Sequence, residues 1–267
     1  MKFADLKAEA KGQLAPHYGF FLLLLLPAYI LSIISGGSYV TQFSSQVSQM
    51  TSNANGVYNT QNVSSSGGLF SIFANVLLLS AFFVMIKVMR GQDTTFKGGF
   101  KKAFNIFTRG DYFFGAFMVG LLKYVYIFLW SLLGYILAIA AVAVAVTLNR
   151  NQAAFFALVF LAALLLIATS VVTTIKSLAY SQAQFIFRDG LDNDQPVSYN
   201  QAITKSRQLM DGHKGEFFLL ILSFILWYLL GIITLGLANI FYVTPYTRLT
   251  FANYYVHLTE NNITSAE

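Results

Sequence analysis

Long runs of apolar residues dominate the chain. The first extends from Tyr18 to Ile34 and the second from Leu69 to about Met89. As α-helices, both are long enough to cross a hydrocarbon layer about 30 Å thick. The strands of a membrane β-barrel alternate in polarity instead, and these runs do not. The pattern therefore predicts an all-α, polytopic membrane protein that forms a single membrane domain, 1–267.

Two longer apolar stretches occupy the middle of the chain, separated only by the letters NRNQ: 112–148 and 153–187. At 1.5 Å per residue each helix would exceed the thickness of the hydrocarbon layer. Lys123 and Lys176 lie almost equally far from the turn, so an antiparallel hairpin would place both lysines at one depth, near the inner interface. Segments 112–122 and 177–187 would continue as helices along or beneath that surface, and the sequence leaves open whether they are interfacial or transmembrane.

A last pair of apolar runs extends from Phe217 to about Ile233 and from about Leu237 to Tyr255. Six spans result, arranged as three hairpins. Of the 17 Lys and Arg residues, only Arg150 would lie outside the cell. Because basic residues favour the cytoplasmic side, we expect a multi-pass protein of the cell membrane with both termini in the cytoplasm.

Residues 35–68 form a polar interruption between the first two spans. They contain no Lys, Arg, Asp or Glu and consist mainly of Ser, Asn, Gln, Thr and Gly. Such a segment buries too little apolar surface to fold alone. We expect a flexible extracellular loop.

Three polar segments carry apolar residues at helical spacing and precede the three hairpins: 2–14, 94–108 and 198–211. This spacing predicts amphipathic helices at the cytoplasmic membrane surface, with their apolar sides in the headgroup region. Ser198 and Gln201 form a capping box at the start of the third helix, and Gly212 suits its C-terminal end.

The junction after each amphipathic segment has a similar composition. A Gly or Pro is followed by a charged residue or His and then by Phe-Phe. We interpret this as one unit repeated three times: 2–89, 94–187 and 198–257. The alternative is that any hairpin entering from the cytoplasm has a basic amphipathic flank.

Composition narrows the classes of function. Hydrophobic residues make up 56% of the chain and charged residues 10%, against about 25% charged in soluble domains. The absence of cysteine excludes disulfides, thiolate metal sites and cysteine nucleophiles. In a membrane protein the net charge of +6 indicates orientation and contact with anionic lipids, not nucleic acid.

Basic side chains near the membrane faces are the candidate binding sites for lipid phosphates or other anions: Lys97, Lys101, Lys102, Lys123, Lys176, His213, Lys214 and Arg248. Lys123 and Lys176 have no acidic residue beside them in a predicted span, so they must reach the interface, an anionic lipid or a wet cavity. Pro245 frees a backbone carbonyl that Arg248 could approach. We find no enzyme, cofactor or metal motif and predict no catalytic residue, cofactor or metal site.

Several segments resemble an uncharacterised integral membrane family of Gram-positive bacteria, the domain of unknown function 975 family. They are IKSLAYSQAQFIFRD (175–189), AITKSRQLMDGHKGEFFLLILSFILW (202–227), LTFANYYVHL (249–258), TPY (244–246), LKAEAKGQL (6–14) and FLWSLL (128–133). The family usually has an Ile-Pro-Gly turn soon after the last of these, where this chain has a long apolar hairpin. The resemblance implies an integral membrane protein and no particular activity.

The favoured interpretation is a non-catalytic membrane protein that organises or binds lipids and membrane partners at the cytoplasmic leaflet. Its expected partners are anionic lipids and, as a second class, other membrane proteins. One alternative is a small-molecule or lipid transporter with a site near Lys123, Lys176 and Arg248. Another is an immunity factor against membrane-active peptides, with residues 35–68 exposed to the attacker.

Overall fold

Helices form most of the described part of the chain, which comprises residues 2–34, 68–147 and 151–264 of a computed structural model; no β-strand occurs in it. The helices are α1 (Phe3–Leu14), α2 (Tyr18–Ile34), α3 (Gly68–Met89), α4 (Gly99–Lys102), α5 (Gly110–Thr147), α6 (Gln152–Ala179), α7 (Ala183–Asp192), α8 (Tyr199–Leu209), α9 (Lys214–Leu222), α10 (Ile225–Ile233) and α11 (Thr244–Thr264). A 3-10 turn (Asn105–Phe107) follows α4, and a π-helical turn (Asn239–Val243) precedes α11. Apart from Gly68, the predicted loop 35–68 lies outside the described residues.

Four helical stretches are long and apolar enough to cross a membrane: Phe70–Met89, Gly110–Thr147, Gln152–Asp192 and Lys214–Ile233. Helices α1 and α2 are bent by 91° relative to each other, and together they form a fifth candidate. The prediction of a helical protein with several membrane-length apolar helices is confirmed. The last predicted span, Leu237–Tyr255, is largely helical but too polar to join these candidates.

The chain divides into two compact units. We call residues 1–110 and 220–267 the terminal unit and residues 111–219 the central unit. The three proposed repeats do not coincide with these units, and the repeat stays a prediction.

In the terminal unit, α1 is a helix as predicted, but its apolar side faces protein. Leu6, Ala10 and Leu14 are buried, and α1 packs against α11. The Glu9 carboxylate lies 2.8 Å from Asn253 Nδ2 and 2.8 Å from His257 Nε2, which adds a polar attachment to α11. The expected insertion of this apolar side into lipid headgroups is therefore wrong.

The prediction of a second amphipathic helix over residues 94–108 is also wrong. Only α4 and the following 3-10 turn are helical in this segment. Gly98 has a φ of +67°, which ends any regular helix there. At Gly99 an added Cβ would lie 2.5 Å from the carbonyl oxygen of Phe20, so only glycine permits this contact with α2.

One ion pair fixes the start of this segment. Lys102 Nζ donates to Asp93 Oδ1 at 2.8 Å and to the Thr95 carbonyl oxygen at 2.7 Å. The ammonium also lies 5.3 Å from the centroid of the Phe20 ring on α2. Partial burial opposes ionisation of Asp93, but hydrogen bonds from Lys102 and Thr95 outweigh it and hold the pKa of this carboxyl below its ordinary value.

The central unit is built on the antiparallel hairpin of α5 and α6. Small side chains seven residues apart are buried along its seam: Ser131, Ala138 and Ala145 on α5, and Ala162 and Thr169 on α6. Small residues at such spacing let membrane helices approach closely. Large apolar side chains cover the other sides of both helices.

A compact base surrounds the N-terminal end of α5. Val119 is buried there with Phe187 of α7 and Ala202 and Ile203 of α8. The capping box of Ser198 and Gln201 is confirmed. The apolar side of α8 therefore faces protein and not headgroups, as for α1.

A buried hydroxyl joins α8 to the break between α6 and α7. Ser206 Oγ donates to the carbonyl oxygen of Ala179 at 2.9 Å and accepts from the Gln182 N–H at 3.2 Å. These are backbone groups that the helix break leaves without an intrahelical partner. Gly212 adopts a φ of +76° after α8, as expected of a glycine that follows a helix.

We predict that Gly134→Leu opens the α5–α6 seam. A Cβ at this position would lie 1.8 Å from Thr169 Oγ1, so the two helices must separate. We expect the free energy of unfolding to fall by about 1–3 kcal/mol, which a lower melting temperature in detergent would report. Ala140→Leu adds similar bulk on the exposed side of α5 and serves as the control. Equal melting temperatures for the two variants would contradict the close approach.

We predict that the Asp93–Lys102 pair makes stability fall in acid. A pKa below the unfolded value of about 3.9 means that the stabilisation is complete above that pH and is lost as pH falls through the folded pKa. The pair is partly exposed, so its contribution is about 1 kcal/mol or less.

Asp93→Asn should therefore lower the melting temperature at neutral pH and lower it less in acid, at a pH below the folded pKa, where the Asp93 carboxyl is protonated. The exposed carboxylate of Asp5 provides the control substitution, Asp5→Asn. If Asp93→Asn reduced stability equally at both pH values, the ion pair would not be the cause.

Candidate functional site

Lys123 and Lys176 both belong to the central unit but have separate aromatic contacts. Lys176 Nζ lies 3.7 Å from the centroid of the Trp130 ring, whereas Lys123 Nζ lies 5.4 Å from that of its neighbour Tyr124. A cation over an indole face is the strongest arrangement of this kind.

The hairpin is antiparallel as predicted, with a slightly different register. Contacts between α5 and the returning chain pair Gly134 with Thr169 and Tyr126 with Tyr180. In this register Lys176 lies opposite residues 127–130. It is therefore displaced from Lys123 by one to two helical turns, about 6–10 Å, and the prediction of one shared depth is wrong by that amount.

The three lysines near α4 have two different environments. Lys102 is held by Asp93 and Thr95, so its charge is satisfied within the protein. Lys97 and Lys101 are exposed. Three phenylalanines of the same segment, Phe100, Phe104 and Phe107, are exposed by 40–47%.

The opposite side of this segment is fixed to the protein. Ala103 and Ile106 are buried, and the Ile106 N–H donates to Ser80 Oγ on α3 at 3.1 Å. We name residues 97–107 the Phe-Lys segment. It exposes aromatic side chains and lysines from a backbone that is packed against α2 and α3.

His213 and Lys214, in the central unit, are paired with acidic neighbours. His213 Nδ1 lies 3.1 Å from Glu216 Oε2, and Lys214 Nζ donates to Asp211 Oδ1 at 2.9 Å. The bond from Lys214 lowers the pKa of the Asp211 carboxyl from its ordinary value. These two predicted anion contacts are thus already partly satisfied within the turn between α8 and α9.

The three histidines occur in three different settings. His17 stacks on Phe96 with 3.4 Å between ring centroids, His213 contacts Glu216, and His257 contacts Glu9. Within the described residues, no three His, Asp or Glu side chains come together as metal ligands.

Arg248 lines a cavity of about 400 Å³ in the terminal unit. Pro245 has no N–H to donate to the carbonyl four residues earlier, which is that of Phe241. Tyr18 OH donates to this carbonyl at 2.6 Å. Nothing in the sequence indicated this contact from Tyr18, and the approach of Arg248 to the same carbonyl stays a prediction.

A second feature missed from the sequence is a polar cluster at the base of the central unit. Arg188 is 4% exposed, and its guanidinium lies 3.2 Å from the centroid of the Tyr112 ring. Its Nε lies 3.2 Å from Asp192 Oδ2, and Tyr112 OH donates to Asp192 Oδ1 at 2.8 Å. The i,i+4 spacing of Arg188 and Asp192 could have predicted their contact from the sequence, because side chains four residues apart meet on one face of a helix.

The family comparison covers nearly the whole chain. A family model described as "Protein of unknown function (DUF975)" matches residues 1–262. No curated protein and no solved structure matches the chain. Since the matched range includes both units, the chain belongs to the DUF975 family.

Proposed function

We propose that this protein is a non-catalytic integral membrane protein that binds and organises anionic lipids at the cytoplasmic leaflet. The observation that carries this proposal is the Phe-Lys segment, where exposed aromatic side chains and exposed lysines occur within 11 residues. Aromatic rings favour the depth of the lipid headgroups, and lysines favour anionic phosphates.

The chemistry of this surface matches an interfacial anchor. Phe100, Phe104 and Phe107 supply the apolar contact, while Lys97 and Lys101 supply the charge. Binding of this kind increases with both buried apolar area and basic charge. Because the other side of the segment is fixed to α2 and α3, little conformational entropy is lost on binding.

The other two predicted surface helices support the proposal less. The apolar sides of α1 and α8 are buried against protein, so only their polar surfaces remain for lipid. Lys123 and Lys176 fit a supporting role, in which long side chains extend along aromatic rings toward phosphates at the interface.

We also propose the six-span topology with cytoplasmic termini. Of the six proposed spans, 237–255 is the least hydrophobic. Most side chains of α11 within it are nevertheless buried, including Leu249, Thr250, Tyr254 and Tyr255. A helix that is shielded by its neighbours can carry polar residues in a membrane, because those residues contact protein and not hydrocarbon.

Transport is the second candidate function, favoured by the cavity at Arg248. A transport site would have to become accessible from each side of the membrane in turn.

The topology can be tested with single cysteines, since the chain has none. We expect a membrane-impermeant maleimide to label Ser52→Cys in intact cells, and Ala4→Cys and Glu260→Cys only after permeabilisation. Labelling of Ser52→Cys and Ala4→Cys under the same condition would contradict the proposed topology.

The lipid proposal predicts that Lys97→Gln combined with Lys101→Gln weakens retention of phosphatidylglycerol. At about 1 kcal/mol for each basic residue, the loss is about 30-fold in affinity, measured by native mass spectrometry after extraction from mixed vesicles. The matched control is Lys205→Gln with Arg207→Gln, which removes the same charge from the exposed side of α8. Equal losses for the two double variants would reject a specific role of the Phe-Lys segment.

A further inference from the structure

Helix α5 is longer than a crossing of the hydrocarbon layer requires. Its 38 residues extend about 57 Å at 1.5 Å per residue, whereas the layer is about 30 Å thick. A tilt of about 40°, at the upper end of the range for membrane helices, would still leave about 44 Å along the membrane normal. At least one end of α5 therefore lies outside the hydrocarbon layer.

The contacts of α8 identify this end as the N-terminal one. Helix α8 exposes polar and basic side chains such as Lys205, which are costly to place in hydrocarbon. It packs along the first part of α5, where Val119 is buried together with Ala202 and Tyr126 OH donates to Asn200 Oδ1 at 3.1 Å. The turns of α5 up to Tyr126 thus lie at the level of a polar helix, outside the hydrocarbon layer.

Another side of the same turns is apolar and exposed. Phe114, Met118, Leu121 and Val125 are 37–61% exposed. They follow one another at steps of four, three and four residues, so they form one stripe along the helix. Because lipid tails do not reach this level, the stripe needs another cover, and contiguous exposed apolar side chains of this kind mark interaction sites.

The same spacing continues through the rest of α5. The further exposed positions are Phe128, Leu132, Tyr135, Ile139, Val142 and Val146. We name these six residues and the four before them the α5 stripe. Its alternating steps of three and four residues are the a and d positions of a coiled coil. None of the buried residues of α5, a helix described over its whole length, belongs to the stripe, so packing within the central unit leaves it available.

The area of the α5 stripe is sufficient for a protein dimer. From the exposed fractions it offers roughly 900 Å², against about 800 Å² for each partner in a standard interface. Two copies inserted in the same orientation have parallel α5 helices, so their identical stripes can meet about a twofold axis along the membrane normal. Heptad spacing suits this contact, because it keeps the two stripes facing each other as the helices supercoil.

We propose that the α5 stripe is the contact surface of a homodimer, in which it packs against the same stripe of a second copy. The turns outside the hydrocarbon layer gain free energy by removing apolar side chains from water, and the turns within it continue the contact by close packing. Val125, Ile139 and Val146 occupy position a, where β-branched side chains favour two helices. The proposal is independent of lipid binding by the Phe-Lys segment, which belongs to the terminal unit.

Two neighbouring leucines provide a matched test, since the chain has no cysteine of its own. Leu132 belongs to the stripe, whereas Leu133 does not and is the more exposed of the two. Single variants Leu132→Cys and Leu133→Cys of the full chain are oxidised with copper phenanthroline in native membranes. A disulfide requires close Cβ atoms, so we expect Leu132→Cys to form at least about ten times more linked dimer, at twice the mass of the chain. Random collisions would instead favour the more exposed Leu133.

Leu121 tests the part of the stripe outside the hydrocarbon layer. Leu121→Glu places a charge in the contact of each copy and should raise the dimer dissociation constant by about a hundredfold or more. Energy transfer between labelled copies, diluted into excess lipid, measures this constant. Thr204→Glu adds the same charge to the exposed side of α8 and should leave it unchanged. Melting temperatures check folding, and if Leu121→Glu does not fold, Met118→Gln must weaken the dimer instead.

Three results would overturn the proposal. Equal linkage at Leu132→Cys and Leu133→Cys would mean that lipid covers the stripe, and so would a chain that stays monomeric on oxidation of both variants. A linked product of any other mass would assign the surface to a different protein. None of these results would affect the lipid proposal, because Lys97 and Lys101 are unaltered in these proteins.

Discussion

A polar group that lies away from water must find its partner within the protein, and this constraint accounts for much of the structure. The carbonyl freed by Pro245 accepts a hydrogen bond from Tyr18. The ammonium of Lys176 lies over the Trp130 ring, and that of Lys102 is held by Asp93. In each case an isolated charge or backbone group becomes a contact that also holds two segments together. Polar residues that lower the mean hydropathy of a segment thus take part in its packing.

The same constraint makes the exceptions informative. Two such places in the described part of the chain are the Phe-Lys segment and the cavity at Arg248. The Phe-Lys segment presents apolar rings and ammonium groups together, which suits the boundary between hydrocarbon and headgroups. The cavity at Arg248 brings polar side chains together, Asn239 among them. The first favours anionic lipids at a surface, whereas the second favours the alternative of transport.

Several parts of the fold could be predicted because they depend on local pattern. The apolar run Tyr18–Ile34 coincides with α2, since the length of such a run sets the length of the helix. The capping box at Ser198 was recognisable because its two hydrogen bonds join residues three apart. The antiparallel arrangement of α5 and α6 followed from the short turn between them, although the predicted register was shifted by several residues.

The features that the sequence did not reveal depend on contacts between distant segments. Helical spacing showed that α1 has an apolar side, but not that α11 would cover it. The spacing of the phenylalanines in 94–108 suggested a helix, while the left-handed Gly98 and the contact of Gly99 with α2 prevent one. The burial of Asn239 gave no signal, because it depends on the π-helical turn and on Gly231 opposite.

That π-helical turn has a consequence for the evolution of this protein. A π-helical turn corresponds to one residue more than an α-helical turn would hold. Deleting a single residue between Asn239 and Val243 would let the helix continue regularly into α11 and would rotate Asn239 by about 100° relative to Arg248, the angle per residue of an α-helix. Family members with the extra residue in this turn could then form the cavity, and members without it would have only a regular helix.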